Sequence, residues 1–337
     1  MGWDARQGLA TATGVCLAVL AAFVAGTDDP WWAAISAWMV ANPDRSAQFA
    51  KGVMRLAGTF AGCALGLLAA VWLADLHVLQ LLALFVAGAL GVRKRFGGGS
   101  WSYAWFLGAL TFSMLLITGM TQPDALWQFA QDRAIEIVCG VVAAGVAGAV
   151  LAPGAQSQPA GAGAPGAAPL HDFDLDRLAV ISGTVLVIVI LIWTSFDLPQ
   201  PLQVVISSIV VLDRDVATAQ VRGRQRLLGC LLGAALGLGF IALVGDVLPL
   251  WLFALFGGLF ALSRLHHGGG PNAYVGTQAG FAFIMAMVTG SGPPATILPA
   301  LDRLAGIMLG VAIVIVVSFA VAPRRPERAR PLGETGG

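Results

Sequence analysis

Apolar residues fall in long blocks along this chain, and polar residues fall in short breaks between them. The blocks cover 6–26, 31–41, 52–74, 76–92, 100–120 and from Pro123 to about 152. They resume at 177–196, 201–212, 223–244, 247–263, 271–290 and 300–322. A helix of about 20 apolar residues is as long as the hydrocarbon core of a bilayer is thick, so most blocks read as membrane spans. The block at 31–41 would cover only about 17 Å as a straight helix. Either its helix continues past Pro43 or it stops inside the membrane.

The second six blocks repeat the first six. Asp44 matches Asp215, Lys51 matches Arg222 and Arg55 matches Arg226, an offset of 171 (226 − 55). Gly58, Gly62 and Gly66 match Gly229, Gly233 and Gly237 at the same offset. Tyr103 matches Tyr274, and after a one-residue slip Arg133 matches Arg303. Six spans per half is an even number, so both halves enter the membrane from the same side. The expected fold is all-α and integral to the membrane. It has about 12 transmembrane helices as two parallel six-helix repeats around a pseudo-two-fold axis normal to the membrane. The expected divisions are a first repeat at 1–152, a flexible Pro/Gly/Ala linker at 153–176, a second repeat at 177–323 and a basic tail at 324–337.

Composition supports this. The chain is 58% hydrophobic and 11% charged, with a mean hydropathy of +0.82; soluble domains are about 25% charged. The net charge of +1 is no sign of nucleic-acid binding. Charge placement sets the orientation. With the N-terminus inside, all but Arg133 and Arg303 of the 19 Lys and Arg lie on the inner side. Both termini are therefore expected in the cytoplasm of a plasma-membrane protein, and the first block reads as a retained span rather than a signal peptide. The 4 cysteines sit inside apolar blocks and read as small buried hydrophobes.

Four sets of residues are candidates for chemistry. Lys51 and Arg55 share one helix face, as do Arg222 and Arg226. Each pair leads into a ridge of glycines (58, 62 and 66, or 229, 233 and 237) that permits close helix packing in lipid. Four cations around one vestibule would hold an organic anion; the alternative is ordinary snorkelling to headgroups. The polar breaks Asn42-Pro43-Asp44 and Asp213-Arg214-Asp215 end short apolar segments at matching places, which points to a transporter binding site or to plain cytoplasmic loops. Glu136 is the carboxylate clearly inside an apolar block, and Asp132 is beside it. Both are candidates for proton coupling; the alternative for Glu136 is an i,i+3 ion pair with Arg133. Tyr103 and Tyr274 are the only 2 tyrosines, and their equivalent places suggest that they line the path. The tryptophans at 31, 32, 38, 101 and 105 suit an interfacial belt, and His266 and His267 suit a solvated loop. No nucleophile–base pair, metal cluster or nucleotide-binding loop is evident, so neither an enzyme nor a cofactor is expected.

The segment WWAAISAWMVANPDRSAQFAKGVMRLAGTFAGCALG, followed by a span, the basic loop RKRF and an aromatic span, resembles the fusaric acid resistance or aromatic acid exporter family. Its R-x-x-G-T-x-x-G core is Arg55, Gly58, Thr59 and Gly62. The second half keeps Arg226, Gly229 and Gly233, with Cys230 in place of the threonine. The resemblance implies export of aromatic or other weak organic acids, driven by the proton gradient. It also implies distant kinship with plant aluminium-activated malate transporters, whose six-span units pair around an anion pore. Many bacterial relatives carry a large soluble domain that is not seen here.

Three readings of function follow. The first is an inner-membrane exporter of organic, foremost aromatic, carboxylic acids. The second is a passive organic-anion channel. The third is a membrane assembly subunit that transports nothing. The expected partners are a small organic anion and the bilayer. Two repeats in one chain would make a monomer sufficient, and the exporter reading leaves room for a periplasmic adaptor.

Overall fold

The fold is that of a computed structural model, which describes residues 3–152, 172–196, 201–211, 216–244, 247–290 and 298–321. The α-helices of the first half are α1 (Trp3–Ala25), α2 (Trp31–Val40), α3 (Arg45–Trp72), α4 (His77–Phe96), α5 (Ser102–Thr121) and α6 (Leu126–Leu151). Those of the second are α7 (Asp172–Phe196), α8 (Pro201–Val211), α9 (Val216–Val244), α10 (Leu248–His267), α11 (Ala273–Met287) and α12 (Leu298–Val321). A 3-10 turn at Pro123–Ala125 leads into α6. Among the described residues 8 helices (α1, α3, α4, α5, α6, α7, α9 and α10) are long and apolar enough to cross a membrane. The protein is thus an α-helical membrane protein. The helix α2 has 10 residues and reaches about 15 Å, roughly half the core.

Helix boundaries repeat at the offset seen in the sequence. The starts of α9, α10 and α11 (216, 248 and 273) each lie 171 residues after those of α3, α4 and α5. Helix pairings repeat too. The α3–α5 contact has its counterpart in α9–α11, and α2–α6 in α8–α12. Between the halves α1 packs on α10, and in exchange α7 packs on α4.

The polar break at 42–44 is a helix cap. Asp44 accepts hydrogen bonds from the backbone N–H groups of Ser46 (2.9 Å) and Ala47 (3.4 Å). Asn42 Oδ1 accepts from Asp44 N–H (2.9 Å). These bonds satisfy the open N–H groups of the first turn, so α3 begins at Arg45, seven residues before the 52 expected from hydropathy. Asp44 is exposed, and the bonds it accepts from Ser46 hold its carboxyl below the usual value. Asp213 and Asp215 lie outside the described residues, as do 153–171 of the linker and the whole tail. The second half corrects the linker boundary. α7 starts at Asp172, not 177, and Asp176 forms an ion pair with Arg93 of α4. Acids in a first turn also suit the helix dipole.

The glycines set how closely the helices approach. The buried stripe of α3 is Gln48, Gly52, Arg55, Gly58, Thr59, Gly62, Cys63, Gly66 and Ala70, one face at helical spacing. A Cβ at Gly62 would stand 2.5 Å from the backbone oxygen of Gly108, and one at Gly66 would stand 2.9 Å from Leu115 Cβ. Gly58 abuts the backbone oxygen of Ala104. On α9, Gly233 abuts the oxygen of Ala279, and a Cβ at Gly229 or Gly237 would meet Val275 O at 2.6 Å or Ala286 Cβ at 2.7 Å.

Two outcomes test these contacts. Gly62→Ala and Gly233→Ala should each destabilise the detergent-purified protein by about 1–3 kcal/mol through overpacking. Gly145→Ala and Gly257→Ala, where a Cβ meets nothing within 4 Å, should not. Asp44→Ala should speed amide exchange at Ser46 and Ala47, and Asp44→Asn should largely preserve protection. Because the folded-state value of Asp44 is depressed, its stabilisation is present above the ordinary carboxylate value. It is lost as the pH falls through the depressed one, and the protection of these amides relative to their intrinsic exchange at the same pH should fall over that range.

Candidate functional site

Where the two halves meet, the stripes of α3 and α9 turn toward a shared cavity of about 310 Å³. Arg55, Arg222, Arg226, Tyr103 and Tyr274 all line it. Arg55 and Arg226 are each 4% exposed. They share a stripe with the glycines, so the packing that seats Gly58 on α5 and Gly229 on α11 also draws the guanidinium groups inward.

Neutral groups hold the two arginines. Arg55 Nη1 donates to the Tyr103 hydroxyl at 2.8 Å. Arg226 Nη1 donates to Gln278 Oε1 at 2.6 Å and its Nη2 donates to Ser207 Oγ at 3.1 Å. The Nε atoms of both arginines are buried with no hydrogen-bond partner, as is the Tyr274 hydroxyl. Cations also stand over the tyrosine rings. Lys51 Nζ lies 5.7 Å from the Tyr103 centroid and the Arg222 guanidinium 5.5 Å from the Tyr274 centroid. Lys51 itself does not line the cavity. The remaining wall is apolar and aromatic, with Trp31, Trp32, Phe106, Leu110, Phe281 and Met285 among its members. No carboxylate is among the lining residues described. This arrangement suits an anion with an apolar body.

Asp132 and Glu136 are buried but do not line the cavity. Asp132 accepts from the backbone N–H of Asp28 (3.3 Å) and from Gln128 Nε2 (2.9 Å), which ties the α1–α2 loop to α6. Glu136 Oε1 has no hydrogen-bond partner. No ion pair within 4 Å joins Glu136 to Arg133 among the described residues. Instead the Arg133 guanidinium lies 3.6 Å over the Trp32 ring and lines the cavity. The breaks around Asn42 and Asp44 stay outside it.

Several residues sit where sequence reasoning did not put them. Trp31, Trp32 and Trp38 are buried rather than interfacial, whereas Trp101 and Trp105 are exposed. His266 stacks on Trp38 of α2 (4.7 Å) and is 2.8 Å from Thr277 Oγ1, and His267 is 3.0 Å from Thr11 Oγ1 of α1. They end α10 at the junction of the halves instead of lying in a solvated loop. Gln278 and Ser207 had no sequence signal of their own, but Ser207 matches Ser36 at the 171 offset. Arg95, which looked like one of several loop cations, lines the cavity.

Comparison with known proteins decides the family. Residues 5–166 match the model of the fusaric acid resistance protein family, and residues 186–317 match the model described as fusaric acid resistance protein-like. The chain belongs to the fusaric acid resistance family. Curated relatives include the p-hydroxybenzoic acid efflux pump subunit AaeB of Shigella boydii serotype 4 (strain Sb227) and of Escherichia coli O9:H4 (strain HS). The protein of that name from Enterobacter cloacae subsp. cloacae is another. Each is 30% identical over 158 residues, which is 44% of this chain and 24% of the relative. The match thus spans about a quarter of those relatives' length. No solved structure matches the chain.

The two tyrosines provide a test. Tyr103→Phe leaves the buried Arg55 Nη1 without its acceptor and should cost about 1–3 kcal/mol in thermal or denaturant unfolding. Tyr274→Phe removes a hydroxyl that has no partner and should be close to neutral.

Proposed function

We propose that the chain is an inner-membrane exporter of organic, foremost aromatic, carboxylic acids. The observation that carries this reading is a cavity between the halves, with buried arginines from both and an aromatic wall. Arg55 and Arg226, helped by Arg222, hold the carboxylate, and Lys51, standing over the Tyr103 ring, adds positive charge from outside the cavity wall. Tyr103 and Tyr274 meet the ring. The relatives' name, p-hydroxybenzoic acid efflux pump subunit, names a ligand of that kind, and the word subunit leaves room for a partner such as a periplasmic adaptor.

The transport path runs along a pseudo-two-fold axis normal to the membrane, between parallel six-helix repeats, α1–α6 and α7–α12. The equal spacing of helix boundaries and the exchanged α1–α10 and α7–α4 contacts support this. One chain supplies both walls of the cavity, so a monomer is sufficient. Both termini lie in the cytoplasm, a reading supported by the bias of basic residues toward one side. Export is coupled to protons through Glu136, with Asp132 beside it; the burial of both within α6 supports the assignment.

Efflux of aromatic acids from cells carrying Arg55→Ala and Arg226→Ala together should fall at least about tenfold, the loss expected on removing charge-assisted contacts. Undiminished efflux would sink the site assignment. The second reading, a passive organic-anion channel, is favoured by the lack of a carboxylate among the described lining residues. Liposome recordings separate the two. An exporter moves substrate uphill on an imposed pH gradient and Glu136→Gln weakens the coupling. A channel gives steady anion current that ignores the gradient.

A further inference from the structure

Arg133 lines the cavity apart from the four cations placed around the carboxylate. It is 2% exposed and stacks on Trp32. Stacking engages the face of the guanidinium and leaves its edge. Of its nitrogens, Nε and Nη1 are buried with no hydrogen-bond partner. The neighbouring acids do not take them. Asp132 is bound to Asp28 and Gln128, and Glu136 forms no ion pair with Arg133. A buried cation with open donors is costly until an acceptor arrives.

The register of α3 against α6 places Arg133 apart from Arg55. Arg45 Nη2 donates to Ala149 O (3.0 Å), Gln48 Nε2 donates to Ala144 O (2.6 Å), and a Cβ at Gly52 would meet Val141 Cγ1 at 3.0 Å. As α3 advances α6 recedes, so the pair is antiparallel. Continued along the pair, this register sets Arg133 opposite the Phe60–Ala61 step, about 8 Å beyond Arg55 along the axis. The cavity therefore has arginines at two levels with an apolar, aromatic wall. Arg55 marks one level, and its counterpart Arg226 on α9 has, like it, a buried Nε with no hydrogen-bond partner. Arg133 forms the other.

We propose that Arg133 is the second pole of the binding site, and that the preferred ligand class is aromatic dicarboxylates with the two groups at opposite ends of the ring. This rests on the reading of the cavity as an aromatic-acid site. One carboxylate meets Arg55 and Arg226, the ring lies against the aromatic wall, and the far carboxylate pairs with the guanidinium of Arg133, which no acid among the described residues neutralises by an ion pair. Acids with a single carboxylate engage one pole and leave Arg133 unpaired.

The test titrates the purified full chain in detergent with benzoate, benzene-1,2-dicarboxylate and benzene-1,4-dicarboxylate, reading thermal stabilisation. The 1,4-diacid should bind about tenfold more tightly than benzoate, the gain of one charge-assisted contact, and also more tightly than the 1,2-diacid. In Arg133→Gln the 1,4-diacid-to-benzoate ratio should fall to about one, and Arg133→Lys should keep part of it. Equal binding of benzoate and the 1,4-diacid by the unsubstituted protein overturns the proposal, as does a ratio that survives Arg133→Gln. A merely structural Arg133 would lower the melting temperature of the ligand-free variant and leave the ratio intact. If Arg133→Gln does not fold, the acid series on the unsubstituted protein and on Arg133→Lys decides. Stabilisation by none of the acids overturns this proposal and the aromatic-acid site together, whereas binding without discrimination overturns only this one.

Discussion

The site depends on the close approach of two backbone pairs, α3 on α5 and α9 on α11. Helices in lipid gain nothing from expelling water between them, so they associate through dispersion contacts and polar bonds that need short separations. Side-chain-free positions at Gly62 and Gly233 let the carbonyls of Gly108 and Ala279 come into direct contact. Arg55 and Arg226 lie on the same helical stripe as these glycines. The contact that seats the glycines also carries the guanidinium groups out of the lipid and into the centre. Packing and site formation are one event here.

Burying several cations without lining carboxylates requires other compensation. Here a phenol, an amide, a hydroxyl and an indole face supply it: Tyr103, Gln278, Ser207 and Trp32. Neutral acceptors orient a guanidinium and leave its charge in place, which an ion pair would not do. The cavity thus keeps a positive field for an incoming anion. The two halves do this differently. Arg55 takes the tyrosine of its half, while Arg226 takes Gln278 and Ser207 and leaves Tyr274 unbonded. In the first half the residue matching Gln278 is Leu107, and Ser36, which matches Ser207, bonds the Trp32 carbonyl instead (2.6 Å). A repeated framework therefore carries an asymmetric interior.

The exchanged contacts between halves explain why some polar residues were misplaced by position along the chain. His266 and His267 follow Arg264 near a glycine run and look like loop residues. In the fold they meet Trp38 of α2 and Thr11 of α1. Trp38 lies next to Gly280 of α11, where a Cβ would have no room. Burial of this kind comes from a partner element more than 200 residues away in sequence, and local hydropathy holds no trace of it.

The sequence alone determined the membrane setting, the helix inventory and the matched places of Arg55 with Arg226 and Tyr103 with Tyr274. Those properties are local or periodic: apolar length, glycine spacing and a fixed offset. The helix start at Arg45 was also legible in principle, since Asp44 followed by Ser46 is a capping signal, but hydropathy outweighed it. Only the tertiary structure decided that Arg133 leaves Glu136 for the face of Trp32, that Gln278 and Ser207 hold Arg226, and that Asp132 fastens a loop. Each is a choice among several partners within reach of one side chain. That choice depends on which helix arrives alongside, which the linear order of residues does not specify.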